Sequence, residues 1–282
     1  MKKLKLRRAD ICTVCSKTLA QGEVAWWDSE KKQVICTIFK PVSDIETQSV
    51  MKETNPPSTL INQPRRTIDS GVAGKSAMEE YQRRHTKREA AIDAKWGRLA
   101  GVVKFFSDDP HSTEAWRIGS MGEQKLAESL SSGLADSEYV LHDRRAPRTE
   151  GNIDHLVIAR TGLWVIDAKN YVGKVELRYV GGFFTTDHRL YVGGRDRSKL
   201  VDGLDWQVEA VRKIVGELSV SITPALCFTD SEWGWFAKPF FLKGVFVSAP
   251  GALVRQIVHE PILSEYDCYR IALLLSEKMP AK

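Results

Sequence analysis

The sequence of 282 residues lacks any apolar run long enough for a membrane-spanning helix. Such a helix needs about 20 mainly apolar residues, whereas the closest stretch, "IALLL" at 271–275, is short and flanked by charged residues. The first residues, "MKKLKLRRADIC", are basic, but no apolar segment follows them, unlike in a secretory signal. These absences predict a cytoplasmic protein without a membrane partner.

Cysteine is too scarce and too unevenly placed for a disulfide framework. The chain has five cysteines, an odd number, and two of them, Cys227 and Cys268, lie among apolar residues. Such surroundings are typical of buried free thiols.

The remaining three cysteines form a group near the N-terminus: Cys12, Cys15 and Cys36. Their segments "CTVC" and "CTIF" resemble the two knuckles of a zinc ribbon, with Phe39 at the fourth ligand position. Structural zinc takes four ligands, and no histidine precedes His85. A degraded ribbon, held by Trp26, Trp27 and Phe39, is therefore favoured over a zinc site, although three thiolates leave zinc binding open.

Charge is unevenly distributed along the chain. The net charge is +5 overall, with +7 in the first 100 residues and −2 in the remainder. A basic first third is typical of a chain with a polyanionic partner, but it also fits solvated basic helices.

Composition divides the chain into four segments, with a mixed α/β domain last. They are a degraded zinc-ribbon-like segment (1–40), a flexible linker (41–73), a basic polar helix and connector (74–116), and the main domain (117–282). The polar helix is predicted over 75–98. In the main domain, Ser120 and Glu123 have the spacing of a capping box, which predicts a helix over 121–133. The order α-β-β-β-(insert)-α-β predicts a sheet flanked by helices.

The hairpin "GNIDHLVIARTGLWVIDAKN" at 151–170 carries three charges where a core strand pair would be apolar: Asp154, Asp167 and Lys169. Side chains alternate between the faces of a strand. A turn centred on 160–161 places Asp154 opposite Asp167, and a turn shifted by one residue places it opposite Lys169. Both registers put the three charges on one face.

Two carboxylates that face each other across a strand pair repel each other. In a half-buried site the repulsion reaches roughly several kcal/mol, so the hairpin needs a compensating cation. Lys169 could offset one charge, and Mg²⁺ or Mn²⁺ could offset both. Such a metal would polarise a phosphodiester and activate water, while Lys169 orients that water. The alternative is a hairpin whose charged ends point into solvent.

A resemblance to a known family favours the first interpretation. "IDHLVI" and "GLWVIDAKN" resemble the D-…-(D/E)-x-K signature of the restriction-endonuclease-like superfamily. With "GSMGEQKLAESL" and "DWQVEAVRKI", the chain resembles the nuclease-related domain family, NERD, over roughly 117–230. The resemblance implies a restriction-endonuclease-like mixed sheet flanked by helices, and a divalent-metal-dependent nuclease that hydrolyses DNA.

The resemblance also implies five catalytic residues: Glu123, Asp154, Asp167, Lys169 and Gln207. Of these, Glu123, Asp154 and Asp167 would bind Mg²⁺, although Asp167 stands where the family more often has glutamate. Two of the five residues could instead have a purely structural role. Glu123 could cap its helix, and Gln207 could lie on an exposed helix edge. His155 is expected to face away from Asp154 as a buried, hydrogen-bonded histidine.

The basic "RRAPR" just before the hairpin is predicted to contact nucleic acid through Arg144, Arg145 and Arg148. The predicted 75–98 helix could add phosphate contacts, but its acids equally fit a solvated helix with internal ion pairs. Two other functions remain open. One is a catalytically weak nucleic-acid-binding or adaptor protein with a nuclease-like fold. The other is a protein-interaction module that uses the polar helix and "SEWGWFAKPFF".

Overall fold

The structure is a computed structural model that divides into two compact units, Met1–Thr67 and Ile68–Lys282. It describes residues 2–11, 18–29, 33–36, 67–101, 104, 109–149, 151–182, 185–216, 218, 220–234, 237–259 and 261–282. Most of the linker predicted at 41–73 lies outside these ranges, and so do Cys12, Cys15 and Phe39.

The smaller unit is built from short antiparallel strands. They are β1 (Lys2–Lys5), β2 (Asp10–Ile11), β3 (Thr18–Leu19), β4 (Val24–Asp28) and β5 (Gln33–Cys36). The strands form a β1-β4-β5 sheet and a β2-β3 pair. Trp26 and Trp27 pack against a small core around Leu19 and Ala25. The backbone of Cys36 pairs with Ala25, and the zinc hypothesis stays a prediction.

The larger unit has six helices and nine strands within its described residues. The helices are α1 (Lys75–Trp96), α2 (His111–Gly133), α3 (Lys199–Asp202), α4 (Asp205–Val215), α5 (Pro250–Ile257) and α6 (Glu265–Lys278). The strands are β6 (Tyr139–Arg145), β7 (Asn152–Ala159), β8 (Gly162–Lys169), β9 (Val175–Gly182), β10 (Thr185–Val192), β11 (Arg195–Asp196), β12 (Ile222–Phe228), β13 (Phe240–Leu242) and β14 (Val245–Ser248).

The main sheet is mixed and has the strand order β13-β14-β12-β8-β7-β6. Strands β6, β7 and β8 form an antiparallel meander, and β12 then pairs in parallel with β8. The chain reaches β12 only after a separate β9-β10-β11 sheet and helix α4, which is the crossover that a parallel connection requires. The predicted order α-β-β-β-(insert)-α-β is confirmed.

Helices cover both faces of this sheet. Helices α4 and α6 pack on one face, where Leu156, Ile158 and Val165 lie. Helices α2 and α5 pack on the other face, against Val157 and Ile166. Because neighbouring strand residues enter different cores, β7 and β8 are apolar on both sides, as expected for central strands covered by helices. The predicted mixed α/β fold is confirmed.

The larger unit begins before the strands that define its sheet. Ile68 packs against the core and Ala73 is buried, so the last residues of the predicted linker belong to this unit. Helix α1 also belongs to it, and its predicted position over 75–98 is close to the observed one. The capping-box prediction at Ser120 was wrong, because α2 begins at His111 and Ser120 lies inside the helix.

Three smaller predictions can be compared with the structure. Cys227 and Cys268 are buried free thiols, as predicted. In the aromatic segment "SEWGWFAKPFF", Trp233 and Phe240 pack against the core, which favours ordinary packing over an interaction surface. Within the part of the chain that the structure describes, no helix is long and apolar enough to cross a membrane.

Candidate active site

The hairpin of β7 and β8 has the register in which Asp154 faces Asp167. The turn consists of Arg160 and Thr161, and the last ladder pair at the other end is His155 with Ile166. Asp154 and Asp167 occupy the next position, beyond that pair. There the Asp154 side chain accepts a hydrogen bond from the Ala168 amide, at 2.9 Å from N to Oδ2. The acids therefore lie where the strand pair opens.

A third aspartate continues this row on the neighbouring strand. Asp143 of β6 falls between the pairs His142–His155 and Arg144–Ile153, so it lies opposite Asp154. Its carboxylate is fully engaged, because Ser76 donates its amide at 2.7 Å and its hydroxyl at 2.8 Å, and Asn152 donates its amide group at 2.8 Å. Asp143 thus holds the first turn of α1 against the sheet.

Glu123 reaches the site from helix α2. Its Oε2 accepts a hydrogen bond from the amide of Gly74 at 3.0 Å, and Ser120 of the same helix donates to the carbonyl of Gly74 at 2.8 Å. Since α2 begins twelve residues earlier than Glu123, this acid does not cap its own helix. It instead binds the residue that precedes α1.

Asp167, Lys169 and Gln207 make direct contact. The Lys169 Nζ lies 2.6 Å from Asp167 Oδ2, and Gln207 Nε2 lies 3.5 Å from Asp167 Oδ1. Gln207 of α4 is 5% exposed, so it is not on an exposed helix edge. Its Oε1 is buried without a hydrogen-bond partner among the described residues, which leaves an oxygen ligand available beside Asp167.

Full ionisation of the acids would place more negative charge in the site than it neutralises. Burial, with the charges of Asp154 and Asp143, raises the pKa of Glu123 to about 9. Burial and the charge of Asp167 raise the pKa of Asp154 to about 7. Burial opposes the charged form of Lys169, but Asp167 and Asp154 outweigh it and raise the pKa of this lysine. Lys169 is therefore a permanent cation that compensates only part of the charge.

The donor set suits a hard divalent cation, but it is not assembled as a three-ligand site. Among the described residues, no three histidine, cysteine, aspartate or glutamate side chains converge on a common metal position. Mg²⁺ commonly uses only one or two protein carboxylates and fills its shell with water and phosphate oxygens. Asp154 and Asp167 meet that requirement, together with the unpartnered oxygen of Gln207. The residues thus fit a metal that is completed by substrate and water.

The predicted role of Arg144 in nucleic-acid binding was wrong. Arg144 is 0% exposed, and its guanidinium donates to the carbonyls of Asp69 and Met279. It therefore binds the segment before α1 and the end of α6 to the sheet. Arg145 and Arg148 are exposed, and their contact with nucleic acid stays a prediction.

His155 is buried and lies on the face of β7 opposite Asp154, but only half of its ring is hydrogen-bonded. Its Nδ1 is 2.7 Å from Nδ1 of His142, and its Nε2 has no partner among the described residues. Burial lowers the pKa of His142 to about 4 and that of His155 well below its usual range. Both rings are consequently neutral at pH 7, and His155 is buried and faces away from Asp154 as expected, with one of its two ring nitrogens hydrogen-bonded among the described residues.

Sequence reasoning missed the residues that position the acids. Asp143 lies in "YVLHDRR", whose last four residues are all polar or charged, so it does not stand out as an acid in an apolar strand would. Gly122 is part of the segment "GSMGEQKLAESL", but its role in packing is not visible in the sequence. A Cβ at this position would lie 2.8 Å from Cβ of Asn170, so the glycine lets α2 approach the end of β8.

Comparison with known proteins agrees with this geometry. Residues 118–229 match the family model of the nuclease-related domain, NERD, and the match includes all five candidate catalytic residues. An uncharacterised protein of Bacillus anthracis is 30% identical over 102 residues, which cover 33% of this chain and 48% of that protein. The chain thus spans about half the length of this relative. No solved structure matches.

Proposed function

We propose that this protein, which carries a nuclease-related domain at residues 118–229, is a divalent-metal-dependent nuclease that hydrolyses DNA phosphodiester bonds. The observation that carries the proposal is the opened end of the β7-β8 hairpin. There Asp154 lies opposite Asp167, Lys169 lies 2.6 Å from Asp167, and a buried Gln207 oxygen has no hydrogen-bond partner among the described residues.

Each side chain has a distinct task in this proposal. Asp154 and Asp167 would hold Mg²⁺ or Mn²⁺, and Glu123 would hold the metal through water. When bound, the metal would polarise the scissile phosphate and lower the pKa of a water. Gln207 fixes the orientation of Asp167 through its amide group.

Lys169 acts as a hydrogen-bond donor and a fixed positive charge. Its pKa is raised by the two aspartates, so it holds its proton at neutral pH and is no general base. As a donor, it can orient the attacking water and stabilise the additional negative charge that develops on the phosphate oxygens.

The test is a cleavage assay with plasmid, linear, single-stranded DNA and RNA, each with Mg²⁺ or Mn²⁺. We expect metal-dependent cutting of DNA by the wild-type protein and its loss in Asp167→Ala and Lys169→Ala. Glu209→Gln is the matched control, because this acid lies on α4 and is 49% exposed. Wild-type rates in both site variants would refute the mechanism.

A nucleic-acid-binding protein with little turnover is the second candidate. It is favoured by the absence of an assembled three-ligand site among the described residues and by the direct pairing of Lys169 with Asp167. It predicts salt-dependent binding that survives Lys169→Ala, with no cleavage in either metal. The same substrate panel therefore separates the two candidates.

A further inference from the structure

A cleft of 330 Å³ opens directly beside the end of strand β8. It is lined by residues of the segment that follows Lys169, including Asn170 and Tyr171, and by Arg195 and Arg197 from the other side. No acidic residue lines it. The cleft is thus a positively charged space one residue away from the candidate catalytic lysine.

The two arginines differ from their neighbours on the same small sheet. Arg178 is paired with Glu176 at 2.6 Å, and Arg189 is paired with Asp187 at 2.9 Å. Among the described residues, neither Arg195 nor Arg197 has a carboxylate within ion-pair distance. Their charges are therefore free to bind an anion from solution.

Arg197 is held in place without being neutralised. Its guanidinium lies over the ring of Tyr171, with 4.9 Å from Cζ to the ring centroid. Its Nε is buried and has no hydrogen-bond partner in the described part of the chain. An arginine on an aromatic face keeps its fork of donors available for a phosphate. Arg197 also borders a second cleft of 490 Å³, where Asp196 and Asp202 are already paired with Arg189 and Lys243.

Arg195 is positioned by a tight turn. Val192 and Arg195 form the pair that closes the two-residue turn Gly193–Gly194. Both glycines have positive φ, +56° and +76°, which is the geometry of hairpin turns that other residues rarely adopt.

This turn is fixed to the segment that leaves β8. The Gly193 amide donates to the carbonyl of Lys174 at 3.0 Å, and a Cβ on Gly173 would lie only 2.6 Å from Cα of Gly193. On the far side, Ser231 donates to the carbonyl of Tyr171 at 2.5 Å. The walls of the cleft are thus hydrogen-bonded to one another before any ligand binds.

We propose that this cleft binds the phosphodiester backbone of the nucleic-acid strand next to the bond that the candidate site cuts, through Arg195 and Arg197. The inference rests on the proposed function for the identity of the bound anion. Arg144, the predicted nucleic-acid contact, is buried. The proposal assigns that contact to two other arginines, which lie at the end of strand β8 where the candidate site is. Backbone phosphates are the fitting ligand because the cleft offers two cations and no acid.

The test is fluorescence anisotropy of labelled DNA and RNA of one sequence, in EDTA so that no cleavage occurs, over a series of salt concentrations. The variants are Arg195→Gln, Arg197→Gln and the double variant. Gln removes the charge at Arg197 but keeps a stem that packs on Tyr171. Arg212→Gln is the control, because this arginine is 61% exposed and its partner Glu209 retains Lys213.

Each phosphate contact contributes about 0.9 to the slope of log affinity against log salt for duplex DNA. We expect each single variant to reduce the slope by about 1, the double variant to reduce it by about 2, and the control to leave it unchanged. Wild-type affinity and slope in the double variant would overturn the proposal, whichever nucleic acid binds. Absence of all wild-type binding would also overturn it, whereas the proposed function is decided by cleavage in the presence of metal.

Cleavage assays on the same variants separate the two proposals. If the arginine variants bind DNA like wild type while wild type cuts DNA, the cleft is wrongly assigned and the nuclease proposal stands. If the arginine variants lose binding while Asp167→Ala and Lys169→Ala cut normally, the cleft stands and the nuclease mechanism fails.

Discussion

The excess negative charge of the candidate site should make the metal-free protein less stable as pH rises. The perturbation that isolates this effect is Glu123→Gln. Glutamine retains an oxygen that can accept the hydrogen bond from the Gly74 amide, so the variant removes the ionisable group and keeps the contact. Glu128→Gln on the same helix is the matched control, because its side chain is exposed.

The magnitude follows from proton linkage. The pKa of Glu123 is about 9 in the folded protein and 4.5 in the reference state. Between these two values the unfolded chain is ionised while the folded protein retains its proton, so rising pH favours unfolding. The free energy of unfolding then falls by about 1.4 kcal/mol per pH unit, or about 2.7 kcal/mol from about pH 6.5 to about pH 8.5. Glu123→Gln should abolish this loss.

The buried histidines and cysteines do not disturb the comparison, and Asp154, whose pKa is about 7, is present in both proteins. The lowered pKa values of His142 and His155 affect stability below about pH 6.5, outside the window. The raised pKa values of Cys227 and Cys268 lower stability at the alkaline end, but equally in wild type and variant. The difference between the two proteins therefore reports on Glu123 and the acids coupled to it.

The assay is urea denaturation in EDTA at pH 6.5, 7.5 and 8.5. The stability advantage of Glu123→Gln over wild type should grow with pH by about 1.4 kcal/mol per unit, while that of Glu128→Gln should not grow. A pH-independent difference, or a variant less stable than wild type at pH 8.5, would show that Glu123 carries its charge without penalty and would remove the electrostatic argument for a cation.

Three further predictions follow from the same contacts. At pH 8, Mg²⁺ at 100 times its Kd should raise the free energy of unfolding by about 2.7 kcal/mol, and calorimetry should show no such gain in Asp167→Asn. Gly122→Ala should cost about 1–3 kcal/mol in thermal unfolding, because the new Cβ would lie 2.8 Å from Cβ of Asn170. Gly119→Ala on the same helix meets no atom within 4 Å and should stabilise instead, by up to about 1 kcal/mol. Arg144→Met should lose about 3 kcal/mol in urea denaturation, since it removes charged hydrogen bonds to two carbonyls, and it should leave the salt dependence of DNA binding unchanged.

Strand periodicity predicted the sheet because that feature is local, but it left two hairpin registers open, of which the structure has the one with its turn at Arg160 and Thr161. Asp154 lies six residues before Arg160 and Asp167 lies six residues after Thr161, so this turn position alone brings them together. Glu123 could be associated with them only through resemblance, because it arrives from a different helix layer. The capping-box prediction failed because residues 111–119, "HSTEAWRIG", bury only Thr113 and so show no apolar stripe that would mark the first turns of α2.

Arg144 shows why a local basic motif is a poor guide to a nucleic-acid surface. Its partners, Asp69 and Met279, lie 75 and 135 residues away, and neither is visible from "RRAPR". Conversely, Arg195 and Arg197 belong to none of the sequence motifs that pointed to the site. Their proposed role depends on the lack of a carboxylate partner among the described residues. Only the folded chain shows which charges are paired.

The distribution of ion pairs also bears on whether the site is a functional metal site or a structural remnant. Most acids on the surface of this domain are paired with arginine or lysine, as Glu176 and Asp187 are. At the open end of the β7-β8 hairpin, Lys169 compensates only part of the charge of a group of acids. Two of these acids, Glu123 and Asp154, have raised pKa values. Carboxylates that stabilise a fold through ion pairs have lowered pKa values, because a favourable partner keeps a carboxylate ionised. Ionisation of these acids therefore destabilises the metal-free fold, and a bound divalent cation would offset that cost.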